Sequence, residues 1–248
     1  SLKKITFPES LKSIENHLFF HCDNLYEVNI PNTMSLICRN AFDCCQNLQN
    51  ITIPESLNVI GYKAFVGMSI RTITIPKKVT SIKDEAFCGC LNLFEVKFDA
   101  NSNLIEIGKN AFYKCISLKL INIPDNVNSI GEGAFKECSQ LEEILLPKRL
   151  TAIENDLFYH CTSLKIIDIK NNYDIKTIGA GAFNNCAITE ITFPYSIISI
   201  GCGAFYCCEK LQNVSLSYDL ETIEEYAFYG CKSLSSIILF QVSYLGQG

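Results

Sequence analysis

The chain has 248 residues, of which 48% are apolar, 19% charged and 11% aromatic, and its net charge is −5. That apolar content excludes low-complexity disorder, and no apolar run approaches the roughly 18 to 20 residues of a membrane span. With 21 Lys and Arg against 26 Asp and Glu, neither a nucleic acid nor an anionic membrane is the expected partner.

A repeat organises the whole chain. From Leu118 it reads Leu-x-x-Ile121-x-Ile123-Pro124-x-x-Val127-x-x-Ile130-Gly131-x-x-Ala134-Phe135-x-x-Cys138-x-x, and the phrase restarts at Leu141. The leading residues are Leu2, Leu25, Leu48, Ile70, Leu93, Leu118, Leu141, Leu164, Ile188, Leu211 and Leu234, mostly 23 apart, with two extra residues within 99–103 and two within 170–174. Ten units are complete and an eleventh is partial. A single unit cannot cover its own apolar face, so such a period implies stacked coils. We expect residues 1–248 to form one solenoid. Because no atypical capping unit is visible at either end, we expect a segment of a longer array whose open faces favour end-to-end self-association. Its opening, Ser1-Leu2-Lys3-Lys4-Ile5, shows no signal-like apolar region, and no membrane insertion is expected of this segment.

Within each unit, Leu-x-x-Ile-x-Ile alternates apolar and polar residues as a strand with one buried face does. All seven prolines (Pro8, Pro31, Pro54, Pro76, Pro124, Pro147 and Pro194) directly follow that strand, where a residue without an N–H ends the pairing. The second half, Val-x-x-Ile-Gly-x-x-Ala-Phe-x-x-Cys, is too short for a full helix and reads as an extended segment followed by a tight helical or 3₁₀ turn around Ala-Phe. Ten of the sixteen phenylalanines, from Phe19 to Phe228, fall at one repeat position and should form a column. Parallel strands about 4.8 Å apart would make the ten units a rod roughly 50 Å long.

This phrase resembles the BspA-like, or Treponema pallidum-type, leucine-rich repeat, over essentially the full length. The resemblance implies a repeat solenoid, mainly β: a right-handed superhelix of about ten 23-residue units, with a concave parallel sheet and short extended or 3₁₀ segments on the convex side. It also implies a surface-associated or secreted protein that adheres to host matrix or host-cell proteins. On that basis the leading expectation is a non-enzymatic protein-protein interaction module of an adhesin. An intracellular, cytoplasmic scaffold is the alternative, favoured by the many unpaired-looking thiols.

Nine of the fourteen cysteines (Cys22, Cys45, Cys90, Cys115, Cys138, Cys161, Cys186, Cys208 and Cys231) share one repeat position, and Met68 fills that slot in the remaining unit. A site accepting Cys or Met reads as a small apolar pocket. Cys38, Cys44, Cys88, Cys202 and Cys207 lie off this column, where exposure would leave them prone to oxidation and a disulfide between neighbours open. No Cys-x-x-Cys pair supports zinc. The strings Gly131-x-Gly133, Gly179-x-Gly181 and Gly201-x-Gly203 lack the third glycine of a nucleotide loop, and the repeat explains them more simply. His17 and His21 are spaced four apart, yet without a Glu base between them they read as surface residues. No cofactor, metal or catalytic set is expected. The sequons Asn50-Ile51-Thr52 and Asn213-Val214-Ser215 are as frequent as chance supplies.

If the fourth and sixth repeat positions point inward, the third and fifth face outward. In the middle of the array these include Leu120, Leu145 and Ile166 on consecutive strands, with Phe94 at the rim and Lys119, Glu142, Lys165 and Asp168 around them. We expect these residues to merge into an apolar patch rimmed by charge, the composition of a partner-binding surface.

Overall fold

The computed structural model describes residues 2–240 and 242–247. Twenty short strands and no helix form the regular structure of these residues, and each strand pairs in parallel with its equivalent one coil away. The chain is a β-solenoid. Its first ladder is built from the Leu-x-x-Ile-x-Ile stretch, for example Lys4–Thr6 with Glu27–Asn29, Thr72–Ile75 with Glu95–Phe98, and Glu143–Leu145 with Ile166–Asp168. The alternation works as the sequence requires. Val28, Ile73, Val96, Ile121, Ile144, Ile167 and Ile191 at the centre of this stretch are buried, and their flanking residues are largely exposed.

After the strand the chain turns. In each of the seven coils with a proline, its carbonyl accepts the N–H three residues on, as from Leu11 to Pro8 at 3.0 Å and from Val127 to Pro124 at 3.1 Å. Two of the coils without the proline add a buried polar side chain that bonds back to the preceding coil: Asn172 Nδ2 donates to Pro147 O at 2.8 Å, and Ser217 Oγ to Tyr195 O at 2.7 Å.

The extended segment that follows is itself a ladder. Two-residue strands run from Ser13–Ile14 to Ser129–Ile130 in one sheet of six and from Ala152–Ile153 to Tyr244–Leu245 in a second of five. It is more continuous than the first ladder, whose strands fall into groups of two or three.

The Ala-Phe segment departs from the expected 3₁₀ turn. Here alternate amides point in different directions. Gly133, Phe135 and Glu137 donate to Asn155, Leu157 and Tyr159 of the next coil at 3.0, 3.1 and 2.7 Å, whereas Ala134, Lys136 and Cys138 close turns onto Gly131, Gly133 and Phe135 of their own. To alternate in this way, the backbone takes positive φ two residues before and two after the phenylalanine in every coil from Phe19 to Phe228. Six of these positions carry glycine, but Lys63, Glu85, Cys207 and Tyr226 are among the side chains held there against the usual preference. The Gly-x-Gly strings therefore serve two needs. Gly133 has φ +62°, while a Cβ on Gly131 would lie 2.6 Å from the backbone nitrogen of Lys109.

Along the middle of the core runs one column of phenylalanines. Successive rings from Phe19 to Phe228 stack with centroids 5.1 to 5.9 Å apart and interplanar angles of 1 to 24°. The neighbouring cysteine column is not merely apolar. The thiols of Cys45, Cys90, Cys115, Cys138, Cys161, Cys186, Cys208 and Cys231 each donate to the carbonyl of a phenylalanine in the preceding coil at 3.0 to 3.2 Å. Burial pushes these groups up, to about 12 for Cys45 and Cys90, and so keeps the donor protonated.

Both strand ladders are interrupted at one junction, between the coils that start at Leu118 and Leu141. Leu120–Ile121 is not paired with Glu143–Leu145, nor Ser129–Ile130 with Ala152–Ile153. Elsewhere Lys165 N–H reaches Glu142 O at 2.9 Å and Gly179 N–H reaches Ile153 O at 2.7 Å. Among the described residues no such bond joins Glu142 to Lys119 or Glu154 to Ile130. The turn ladder, the Phe135–Phe158 stack and the Cys161 thiol carry this junction.

Candidate interaction face

The outward positions of the first ladder place Leu120, Leu145 and Ile166 in the solvent, at 48%, 56% and 54% exposure. Their arrangement is not the merged patch expected from the sequence. Glu143 stands opposite Ile166 and Leu145 opposite Asp168, so the aliphatics form a zigzag with carboxylates in the gaps. The reason is register. Leu120 and Ile166 occupy the third repeat position and Leu145 the fifth, and residues two apart along a strand lie diagonally across the ladder. Leu120 and Leu145 do share a groove of about 320 Å³ that opens along the unpaired junction, between 119–122 and 142–145.

Beside this zigzag runs a row of second-position residues. Lys119 Nζ lies 3.0 Å from Glu142 Oε1, and Lys165 Nζ lies 3.9 Å from Glu142 Oε2. The hydrogen bond from Lys119, followed by the charges of Lys119 and Lys165, holds the Glu142 carboxyl below the usual carboxylate range. One acid thus links three successive coils, spanning the junction that the strand ladders leave open.

Phe94 stands apart from the aliphatics. Its ring centroid is 5.9 Å from the guanidinium carbon of Arg71, and it lines a different groove, of about 710 Å³, among the amide-rich lead-in turns of the preceding coils. The sequence reading missed this second groove, although the run Gln46-Asn47-Leu48-Gln49-Asn50 carries the signal.

The remaining candidates resolve as structural residues. His17 and His21 are exposed residues at φ +60° and +54°, on either side of Phe19, and not on a helical turn. No cluster of three or more His, Cys, Asp or Glu that could hold a metal occurs among the described residues. The cysteines of the structure are free thiols. Of those off the column, Cys202 alone is exposed, while burial and the thiol's hydrogen bond to the Asp43 carboxylate push Cys44 up to about 11. Burial and the nearby Glu85 charge do the same to Cys88, also to about 11, so neither has the thiolate character that makes a cysteine prone to oxidation.

A stack of parallel coils with identical residues in register, and with its chemistry spread over a repeated surface, defines a repeat solenoid of the leucine-rich class. The chain belongs to the BspA-type leucine-rich repeat family, whose model matches residues 1–94, 59–176 and 169–248 in six copies. No curated protein matches it. Among solved structures, a leucine-rich repeat protein of T. pallidum is 28% identical with a TM-score of 0.60, over 66% of this chain and 78% of that one. The pneumococcal vaccine antigen PcpA shares the fold at 21% identity and a TM-score of 0.68, over 98% of this chain and 68% of that one. A leucine-rich repeat protein of Eubacterium ventriosum does so at 22% and 0.58, over 99% and 81%. The family is a repeat scaffold, and no enzymatic family is indicated. No helix of the described residues is long and apolar enough to cross a membrane.

Proposed function

We propose that this chain is a protein-interaction module of a cell-surface or secreted adhesin, and that it engages a host matrix or cell-surface protein on the outward face of its first strand ladder. The observation that carries this reading is the exposed zigzag of Leu120, Leu145 and Ile166 beside the Lys119–Glu142–Lys165 row. Aliphatics half out of water offer apolar contact area to a partner, and the flanking charges supply orientation. Asp168, opposite Leu145, and Phe94, one coil before Lys119, extend the face at its two ends. Membership in the BspA-type family, with the surface-associated or secreted setting that the sequence resemblance implies, supports this reading.

The experiment is a binding assay of the segment against immobilised matrix proteins, repeated with Leu120→Asp and Leu145→Asp combined. We expect at least about a tenfold loss of affinity with an unchanged circular dichroism spectrum. Unchanged affinity would remove this face from the binding reaction. A second reading, an intracellular scaffold, is favoured by the free and largely buried thiols, which a reducing compartment would preserve. It would bind no matrix protein and would instead capture cytoplasmic partners on the same ladder.

A further inference from the structure

The groove around Phe94 differs in kind from the aliphatic one. No carboxylate lines it, and its walls are amides and hydroxyls with a single guanidinium and a single aromatic ring. Among the described residues, the side-chain amides of Gln46, Gln49, Asn50 and Asn92 make no hydrogen bond within the protein, and Arg71 has no acidic partner. Four amides thus offer paired donors and acceptors into one concavity, beside an unneutralised cation and a half-buried ring.

We propose that this groove binds a carboxylated saccharide, with a sialic or hexuronic acid residue as its anchor. A sugar hydroxyl both donates and accepts, which matches an amide, whose NH₂ and C=O sit side by side. The apolar face of a pyranose packs on an aromatic ring, the role open to Phe94. Arg71 presents the planar fork that recognises a carboxylate through two parallel hydrogen bonds. Nucleic acid fits poorly, because one cation in a chain of net charge −5 cannot neutralise a run of phosphates. An extended peptide would need apolar pockets for its side chains, and the groove has one ring in place of these. This site shares only Phe94 with the proposed protein-binding face, and Arg71→Gln on one side and Leu120→Asp with Leu145→Asp on the other test the two separately.

The test is titration calorimetry and ligand-observed NMR with sialyllactose, a hyaluronan tetrasaccharide, neutral lactose and an acidic peptide. Bacterially expressed protein is used, so that Asn50, which opens a sequon, stays unmodified. We expect at least one acidic saccharide to bind at least about tenfold more tightly than lactose or the peptide, and Arg71→Gln to abolish that preference. Asn92→Ala should weaken binding several-fold, whereas Leu120→Asp with Leu145→Asp should leave it unchanged. Equal binding of lactose, preference for the peptide, insensitivity to Arg71→Gln, or no binding of either acidic sugar would each overturn the proposal.

Discussion

The thiol of Cys138 donates a hydrogen bond of 3.2 Å to the carbonyl oxygen of Phe112, one coil earlier, and that same oxygen already accepts the backbone N–H of Cys115 at 3.0 Å. Each such pairing spends both lone pairs of a carbonyl that would otherwise be half satisfied in an apolar core. It also requires the sulfur to stay protonated.

Alkaline pH should therefore unfold the chain. In the folded state the column thiols lie above their ordinary value of 9.0, reaching about 12 for Cys45 and Cys90 and standing well above it for Cys115, Cys138 and Cys186. A folded value raised above the unfolded one contributes stability that is complete below pH 9 and is lost as pH rises toward the folded value. One unit above the unfolded pKa, each such thiol forfeits about 1.4 kcal/mol. Several acting together should bring the urea midpoint down steeply between pH 9 and 10, before most lysines titrate. A midpoint that is level across this range would show that the column is not protonated and buried.

Phe135 is fully buried between Phe112 and Phe158, at 5.5 and 5.7 Å. We expect Phe135→Ala to destabilise the chain by about 3 to 5 kcal/mol in denaturant unfolding, through lost transfer energy and the cavity left between two rigid neighbours. Phe228, partly exposed at its place in the same column, should cost less when truncated. Equal losses at the two positions would contradict a column that is closed as far as Phe205 and loses part of its cover at Phe228.

Positive φ makes a prediction of opposite sign at two sites. Cys207 sits at φ +55° where other coils place Gly67, Gly89 and Gly230. Cys207→Gly should stabilise by about 0.5 to 1 kcal/mol, because relief of the left-handed penalty exceeds the extra chain entropy of glycine. Gly133→Ala, at φ +62° with its Cβ directed at Asn110 Oδ1, should destabilise by about 1 to 2 kcal/mol. Thermal unfolding of both variants checks the pair.

The junction between the sixth and seventh coils should be the first place to open. Amides of Glu142 and Glu154, which have no partner across it, should exchange with solvent deuterium at least about tenfold faster than those of Lys165 and Gly179, their equivalents one coil later. Uniform protection along both ladders would mean that the interruption closes in solution.

The repeat period, the phenylalanine column and the proline turns were legible from residue types alone, because each follows from a side-chain property that recurs at a fixed spacing. What stayed hidden is carried by the backbone. Leu118 and Leu141 are 23 residues apart like most neighbours, so nothing in the side-chain pattern marks the broken ladders between them. The alternation of Cys with Met68 disguised a hydrogen-bonding column as an apolar slot, since only the distance to a carbonyl separates the two. At the candidate face, the outward positions of Leu120, Leu145 and Ile166 followed from the two-residue period, but their zigzag depends on which residues stand opposite, and Phe94 faces a groove that only the coiling brings together.

The hydrogen bonds that join coil to coil all run along the solenoid axis. A pulling force applied at the two ends would load them one rung at a time, as in opening a zipper, and not all at once in shear. Each coil that yields would release about 23 residues, or roughly 80 Å of extended chain in place of about 5 Å of stacked rise. Such a chain would lengthen under modest tension, coil by coil, instead of transmitting the full load between its ends.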